Sequence, residues 1–289
     1  KINAVGTPDK PIVMTSEKEE PGAWGGIHIC GRAHTNAEGG KGSSEIGGAV
    51  YGGNDDADNS GTLQYIRLEY TGFAFDEEHE ANGISFYGVG NGTIVDHCQA
   101  YKGSDDGFEF FGGSVNVSNL VAVSCSDDSF DWTEGWNGKG TNLVAYQEAE
   151  STLGYDCDCL MECDNNGSNN AATPVAHPVL KNLILVGNGG SKQGIRLRAG
   201  TEVEIDNAKV CGKGQPLTVE TALTENALKN GTSKLTNITL TSELSCKEGI
   251  YTHADFIAVT SNKVDANLSY SSFEDIKKEC SWMNGSWVK

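Results

Sequence analysis

The segment GSDDGFEFFGG at residues 103–113 returns 22 positions later as CSDDSFDWTEG at 125–135. Each copy places two adjacent carboxylates before an acid held between two aromatic residues. A feature returning at a fixed offset marks a repeat architecture, in which one short unit is copied along an axis and buries its apolar face against its neighbours. Strand-like segments extend the series. NLVAV (119–123), NLVAY (142–146), NLILV (182–186), NAKVC (207–211) and NITLT (237–241) share Asn, apolar, any residue, apolar. A second type runs through GISF (83–86), GFEF (107–110), SFDW (129–132), LMEC (160–163) and GIRL (194–197). Its apolar leaders Ile84, Phe108, Phe130, Met161 and Ile195 are spaced by 24, 22, 31 and 34 residues, so a basal coil of about 22 residues carries loop insertions. Each segment alternates apolar and polar residues, the period of a half-buried β-strand.

Short strands, Gly/Asn/Asp turns and a period in the low twenties predict an all-β solenoid, the parallel β-helix. Leucine-rich repeats share the period but need Leu at fixed places, and propeller blades need about 40 residues. The whole chain, 1–289, reads as one such domain. TVETALTENALKNG (218–231) has helical apolar spacing and a closing Gly, which predicts a short helical insertion. A second helix within 271–289 is expected to cap the last coil, since a solenoid end must be covered. The repeated Asn predicts stacked turns whose amides hydrogen-bond along the axis. His97 occupies the same register one coil before Asn119.

Composition narrows the function. The formal charge is −19, which argues against nucleic acid and anionic membrane surfaces, both of which select Lys and Arg. No apolar run reaches the roughly 18 residues of a membrane span. The opening KINAVGTPDKPIVMTS reads as the middle of a strand pattern, which suggests a processed or trimmed N-terminus. Nine cysteines suggest disulfides, among Cys157, Cys159 and Cys163 or between Cys211 and Cys246, and with them an extracytoplasmic location, secreted or surface-anchored. A metal cluster at Cys157, Cys159 and Cys163 is the alternative, though no His and no CxxC accompany it.

Stacking the coils at ~4.8 Å aligns Ser85, Glu109, Asp131, Glu162 and Arg196 in one outward row. Asn82, Asp106, Asp128, Cys159 and Gln193 form the row before the leaders; Asp105, Asp127 and Asp158 lie one position further back. Asp164 and Arg198 share a row behind. Carboxylates this close raise one another's pKa unless a cation, a basic side chain or a shared proton intervenes. Hard oxygen donors suit Ca²⁺, with Asp105, Asp106, Asp127, Asp128, Asp158 and Asp164 as candidate ligands. Alternatively the Asp residues cap turns through their own backbone N–H groups, the first of each pair being best placed to do so. Glu109, Asp131 and Glu162 are candidate catalytic acids, bases or nucleophiles, because adjacent rungs approach the ~5–5.5 Å carboxyl spacing of retaining glycosidases. Arg196 and Arg198 either hold a uronate carboxylate or neutralise the acids beside them. Phe110 and Trp132 share the inward phase, whereas Phe111 and Trp136 fall out of it and are candidates for a sugar-stacking platform. FDEEHE (75–80) reads as an exposed loop or an arm beside the metal, and GGNDDADNSG (52–61) as a turn-rich loop. None of the six histidines lies in a Ser or Cys nucleophile motif.

GAWGGIHICGRA (22–33), YGGNDDADNSGTLQYIRLEYTG (51–72), NGISFYGVGNGT (82–93), DDGFEFFGG (105–113), DDSFDWTEGW (127–136) and MECDNN (161–166) together resemble a family of secreted or surface bacterial right-handed β-helix proteins, over roughly residues 1–200. The resemblance implies a right-handed parallel β-helix and an exported protein, and brings no assigned reaction. SDDG and IRLR are also similar to the paired Asp and the basic strand motif of pectin-degrading β-helix enzymes, but their His-containing glycine motif is absent here. Three functions follow: non-catalytic binding of a glycan or other surface ligand on a Ca²⁺-supported acidic face, hydrolysis or lysis of polysaccharide by the stacked carboxylates, and a structural adhesin module.

Overall fold

The computed structural model describes residues 1–76 and 79–289; the centre of the FDEEHE loop, 77–78, lies outside them. Two parallel sheets carry the chain. The longer one pairs Ile2–Val5, Gly61–Glu69, Ile94–Tyr101, Asn116–Val123, Lys139–Tyr146, Val179–Val186, Glu204–Cys211, Lys234–Leu240 and Lys263–Val264 in that order. The second runs through Ile27–Cys30, Ile84–Tyr87, Phe108–Phe111, Phe130–Thr133, Met161–Asp164, Gln193–Arg198, Gln215–Val219 and Ser245–Cys246. Successive strands of one sheet belong to successive coils, so the protein is a parallel β-helix.

Alternation decides what each strand buries. In the second sheet Phe108, Phe110, Phe130 and Trp132 turn inward and are almost fully buried. Their rings stack from coil to coil: Phe86 on Phe110 at 4.9 Å, Phe108 on Phe130 at 5.6 Å. The opposite face of Phe108–Phe111 sends Glu109 outward. The backbones are close enough that a side chain at Gly107 would meet the Ser129 carbonyl at 2.6 Å.

Each long-sheet strand from Gly61–Glu69 to Lys234–Leu240 is bent by one residue. Leu120 pairs with Leu143 and Ser118 with Thr141, and Asn119 is skipped. It takes a left-handed φ of 56°, as do Tyr65, His97, Asn142, Asn182, Asn207 and Asn237 at φ 52–65°. Asn tolerates this conformation better than most residues, and an unpaired left-handed residue bends a strand. The stacked amides then bond coil to coil: Asn142 Nδ2 donates to Asn119 Oδ1 (2.8 Å), Asn182 to Asn142 (3.0 Å) and Asn207 to Asn182 (2.9 Å). The expected ladder is present, with His97 in its register.

Beyond this corner the middle strands, Asn116–Val123, Lys139–Tyr146 and Val179–Val186, are apolar on both faces. Leu120 and Ala122 point into the core, Val121 and Val123 point out. The outer face needs a cover, and that is where the C-terminal segment goes. Its helix Phe273–Glu279 and the residues after it lay Ile276, Met283, Trp287 and Val288 on Val121, Val123, Val144 and Val186. The segment runs back along the solenoid until the Ser286 N–H donates to the Pro8 carbonyl (2.8 Å) and the Lys289 N–H to Gln99 Oε1 (2.8 Å). It is a lateral strap, not the cap over the last coil expected from its position. The last coils are instead closed by Ala222–Lys229, inside the expected 218–231 insertion, and by His253–Ala258, whose Phe256 reaches the core. Fully buried Glu225 pins this end by accepting from the N–H groups of Glu248, Ile250 and Tyr251 at 2.6–3.1 Å.

All nine cysteines are free thiols, which corrects the disulfide expectation. Cys211, at the end of its long-sheet strand, faces outward under the strap, while Cys246 packs against the core from the second sheet. Cys163 points into the core, and Cys159 sits in a turn against Gln193 and Asp158. The compartment argument drawn from disulfides falls with them. Among the described residues no helix is long and apolar enough to cross a membrane.

Candidate functional site

The outward row of the second sheet is set by strand register alone. His28 pairs with Ser85, Ser85 with Glu109, Glu109 with Asp131, Asp131 with Glu162, Glu162 with Arg196 and Arg196 with Thr218. Just before each strand the turn residues link the coils. The Asp106 N–H donates to Asn82 Oδ1 (3.2 Å), the Asp128 N–H to Asp106 Oδ1 (2.8 Å) and the Cys159 N–H to Asp128 Oδ1 (2.7 Å). It is therefore the second Asp of each pair that caps, and it caps the next coil instead of its own turn. One oxygen of Asp106 and of Asp128 is thereby fixed, and each side chain is aimed at the outward row.

The result is a concentration of oxygen donors. Asp105, Asp106 and Asp127 bring carboxylate oxygens within 4.8 Å of one another, as do Asp106, Glu109 and Asp131, and again Asp128, Asp131 and Glu162. Asp128, Asp158 and Cys159 make a fourth such group. Asp131 belongs to two of them, and its Oδ1 is buried with no hydrogen-bond partner among the described residues. Glu109 Oε2 accepts from Asn82 Nδ2 at 2.5 Å.

Basic side chains reach only one end of the row. Arg196 bonds Glu162 (2.9 Å) and Glu220 (2.9 Å), and Arg198 bonds Asp164 (2.7 Å) and Glu162. Lys192 holds Asp158 at 2.7 Å. Among the described residues no Lys or Arg forms an ion pair with Asp105, Asp106, Glu109, Asp127, Asp128 or Asp131. The arginines thus act as neutralisers of neighbouring acids.

The titration of the acids follows this division. Asp106, Glu109, Asp128 and Asp131 are pushed well above the ordinary carboxylate range, first by burial and then by neighbouring carboxylates. These are Glu109 for Asp106, Asp131 for Glu109 and Asp128, and Glu162 and Asp164 for Asp131. Asp105 rises to about 7 through burial, with Glu80 and Asp127 adding to it. Burial also raises Glu162 and Asp164, but the Arg198 guanidinium opposes it. At Glu220 burial is the largest single influence, but the bond and charge of Arg196 together with the charges of Lys247 and Arg198 overcome it, and the pKa is lowered.

Phe111 and Trp136 do not form the expected platform. Phe111 is covered by Tyr87, stacked at 4.3 Å, and by Tyr51. Trp136 is 1% exposed, stacks on Phe110 at 4.1 Å and donates its Nε1–H to the Val115 carbonyl. The exposed rings near the acids are Phe73 and Phe75, an edge-to-face pair at 5.0 Å. They stand on the loop after Gly72, whose carbonyl accepts from the Ser104 hydroxyl next to Asp105.

Two acids without a counterpart in the neighbouring coil, Glu45 and Glu134, stand beside the row. A hairpin pairing Gly42–Ser43 with Val50–Tyr51 brings Glu45 to the Tyr87 hydroxyl (3.2 Å). Burial, followed by the charges of Glu80 and Glu134, takes Glu45 up to about 7. Glu134 accepts from the hydroxyls of Tyr51 (2.8 Å) and Thr35 (2.7 Å). Nothing periodic marks Glu45 in the sequence; only its setting in a Gly-rich insertion sets it apart.

A family model described as a pectate-lyase like beta helix domain matches residues 1–289, and the chain belongs to that family. It matches no curated protein and no solved structure.

Proposed function

We propose that this protein, as a pectate-lyase-like β-helix, binds Ca²⁺ in the acidic row and through it holds an acidic polysaccharide outside the cell, without cleaving it. The observation that carries this reading is Asp131, a member of two groups of converging acids, whose buried Oδ1 has no hydrogen-bond partner among the described residues. An isolated buried charge is costly, and a hard dication is the counter-charge that oxygen donors of this kind select. Asp105, Asp106, Glu109, Asp127, Asp128 and Asp131 would hold the cation. A bound dication would also let a chain of charge −19 accept a polyanion. The exposed faces of Phe73 and Phe75 beside Asp105 supply apolar contact for sugar rings. Family membership supports a polysaccharide as the ligand, and such a ligand places the protein outside the cytoplasm.

Thermal melts in EDTA and in Ca²⁺, followed by calorimetry with polygalacturonate, test this. Melting temperature should rise with Ca²⁺ by mass action, and polygalacturonate should bind only when Ca²⁺ is present. Asp131→Asn should abolish both effects while melting at least as high as wild type in EDTA. A melting temperature indifferent to Ca²⁺ would reject the cation site.

One observation favours a second reading, glycoside hydrolysis. Glu109 and Asp131 stand on adjacent rungs, and the raised pKa that burial gives Glu109 suits a general acid, with Asp131 as the carboxylate beside it once ionised. Reducing ends released from a polysaccharide by wild type but not by Glu109→Gln would replace binding with turnover.

A further inference from the structure

The corner of the long sheet borders a second concavity, remote from the acidic row in chemistry and independent of it. Asn142, Asn182 and Asn207 line a groove of about 180 Å³ together with Lys209, Glu279 and Trp282, the last two contributed by the strap. Ile184 supplies apolar surface between them.

The ladder leaves these amides half used. A carboxamide has two N–H donors and an oxygen with two lone pairs. Asn182 spends one N–H on Asn142 and one lone pair on Asn207. One donor and one acceptor remain, and Asn182 and Asn207 are both exposed to solvent. Lys209 and Glu279 pair with each other, and Glu279 also takes the Tyr270 hydroxyl (2.8 Å). The groove therefore carries no net charge. Trp282 is held near Trp287 (6.2 Å) and, edge-on, near the His97 ring (6.5 Å), so its indole is fixed by packing while remaining partly exposed.

A fixed aromatic ring, some aliphatic surface and a few groups that both donate and accept match one class of ligand. A neutral sugar ring has an apolar C–H face and hydroxyls that themselves donate and accept. An anion or a cation would find no unpaired counter-charge here. The volume lies below the ~300 Å³ at which pockets begin to take drug-sized ligands, which limits the occupant to one ring.

We propose that this groove binds a single neutral pyranose, as a terminal or side-branch residue of a glycan, and does so without a metal ion. Saturation-transfer NMR in EDTA, with the methyl glycosides of glucose, galactose and mannose as probes, tests it directly. At least one probe should receive saturation from wild type. Trp282→Ala should weaken that binding about tenfold, the scale of one lost aromatic contact. Trp282→Phe, which keeps a ring, should stay within about threefold of wild type; its melting temperature shows that the strap is still docked. No saturation of any probe by wild type would overturn the proposal, and so would undiminished binding by Trp282→Ala.

Discussion

Asp131 and Glu162 are neighbours in one row of one sheet, a single strand spacing apart, yet they live in different electrostatic worlds. Glu162 meets two guanidinium groups, and with Asp164 and Glu220 it forms a network the protein closes by itself. Asp131 touches Glu162 on one side and on the other faces Glu109, Asp106 and Asp128, none of which forms an ion pair among the described residues. The strand geometry is the same, and so is the alternation that produced it. The difference lies in two residues, Arg196 and Arg198, which the next coil supplies to one side only. A solenoid copies backbone positions, and charge balance is decided coil by coil. Where the chain furnishes its own cations it builds structure, and where it withholds them it leaves a site.

The comparison is broken most forcefully by pH. A buried acid whose pKa is raised in the folded state contributes its full stability when both states hold the proton, and loses it as the unfolded chain ionises first. For Asp105 that window runs from the ordinary 3.8 up to about 7, and for Glu45 from 4.5 up to about 7. For Asp105 alone the interval corresponds to about 4 kcal/mol. Stability in EDTA should fall steadily as pH rises from 4 to 7, measured by urea unfolding. With Ca²⁺ the profile should flatten, because the cation favours the ionised folded state. A stability maximum near neutrality in EDTA would mean that the unpaired acids are compensated after all.

Next in size is the removal of the internal cation. Arg198→Ala should convert the paired end of the row into a copy of the unpaired end, leaving Asp164 and half of Glu162 without a partner. Breaking a buried pair costs about 3–5 kcal/mol. The Arg198 side chain is 31% exposed, so about 2 kcal/mol is expected after solvent screening. The variant should also acquire a larger Ca²⁺-induced rise in melting temperature than wild type. A loss of stability without that gain would show that charge is not what distinguishes the two ends.

The row itself was legible because two periods coincide. Alternation fixed which side chains point out, and the recurrence of about 22 residues fixed which of them stack, so Ser85, Glu109, Asp131, Glu162 and Arg196 could be aligned on paper. What failed was everything that depends on non-repeating chain. Trp136 follows Gly135, whose left-handed φ of 85° returns the chain inward, and the ring ends on Phe110. Phe111 does point outward, but the inserted hairpin brings Tyr51 beside it. Glu45 arrives on the same hairpin, with no second copy to betray it. A helix within 271–289 was expected because a solenoid end must be covered, but its docking place was not legible, because that requires knowing that the middle strands beyond the Asn corner are apolar on both faces.

The Asn corner supplies the uncharged counterpart of the acidic row, and the smallest predicted effect. Asn119 donates to Asp96 Oδ1 (2.7 Å) and accepts from Asn142 (2.8 Å) while holding a left-handed backbone. Asn119→Ala should lose both bonds and add the strain of an Ala at positive φ. Asn119→Gly should lose the bonds alone, since glycine adopts this conformation freely. The gap between the two variants, about 1 kcal/mol in urea unfolding, then measures the backbone part of the ladder. Neither variant should alter the Ca²⁺ response, because the bonds of Asn119 run along the long sheet to Asp96 and Asn142 and include none of the acids of the second sheet's row. If Asn119→Gly weakened the Ca²⁺ response as much as Asp131→Asn does, the two faces would be mechanically coupled, and the acidic row would owe its cation affinity to the whole coil.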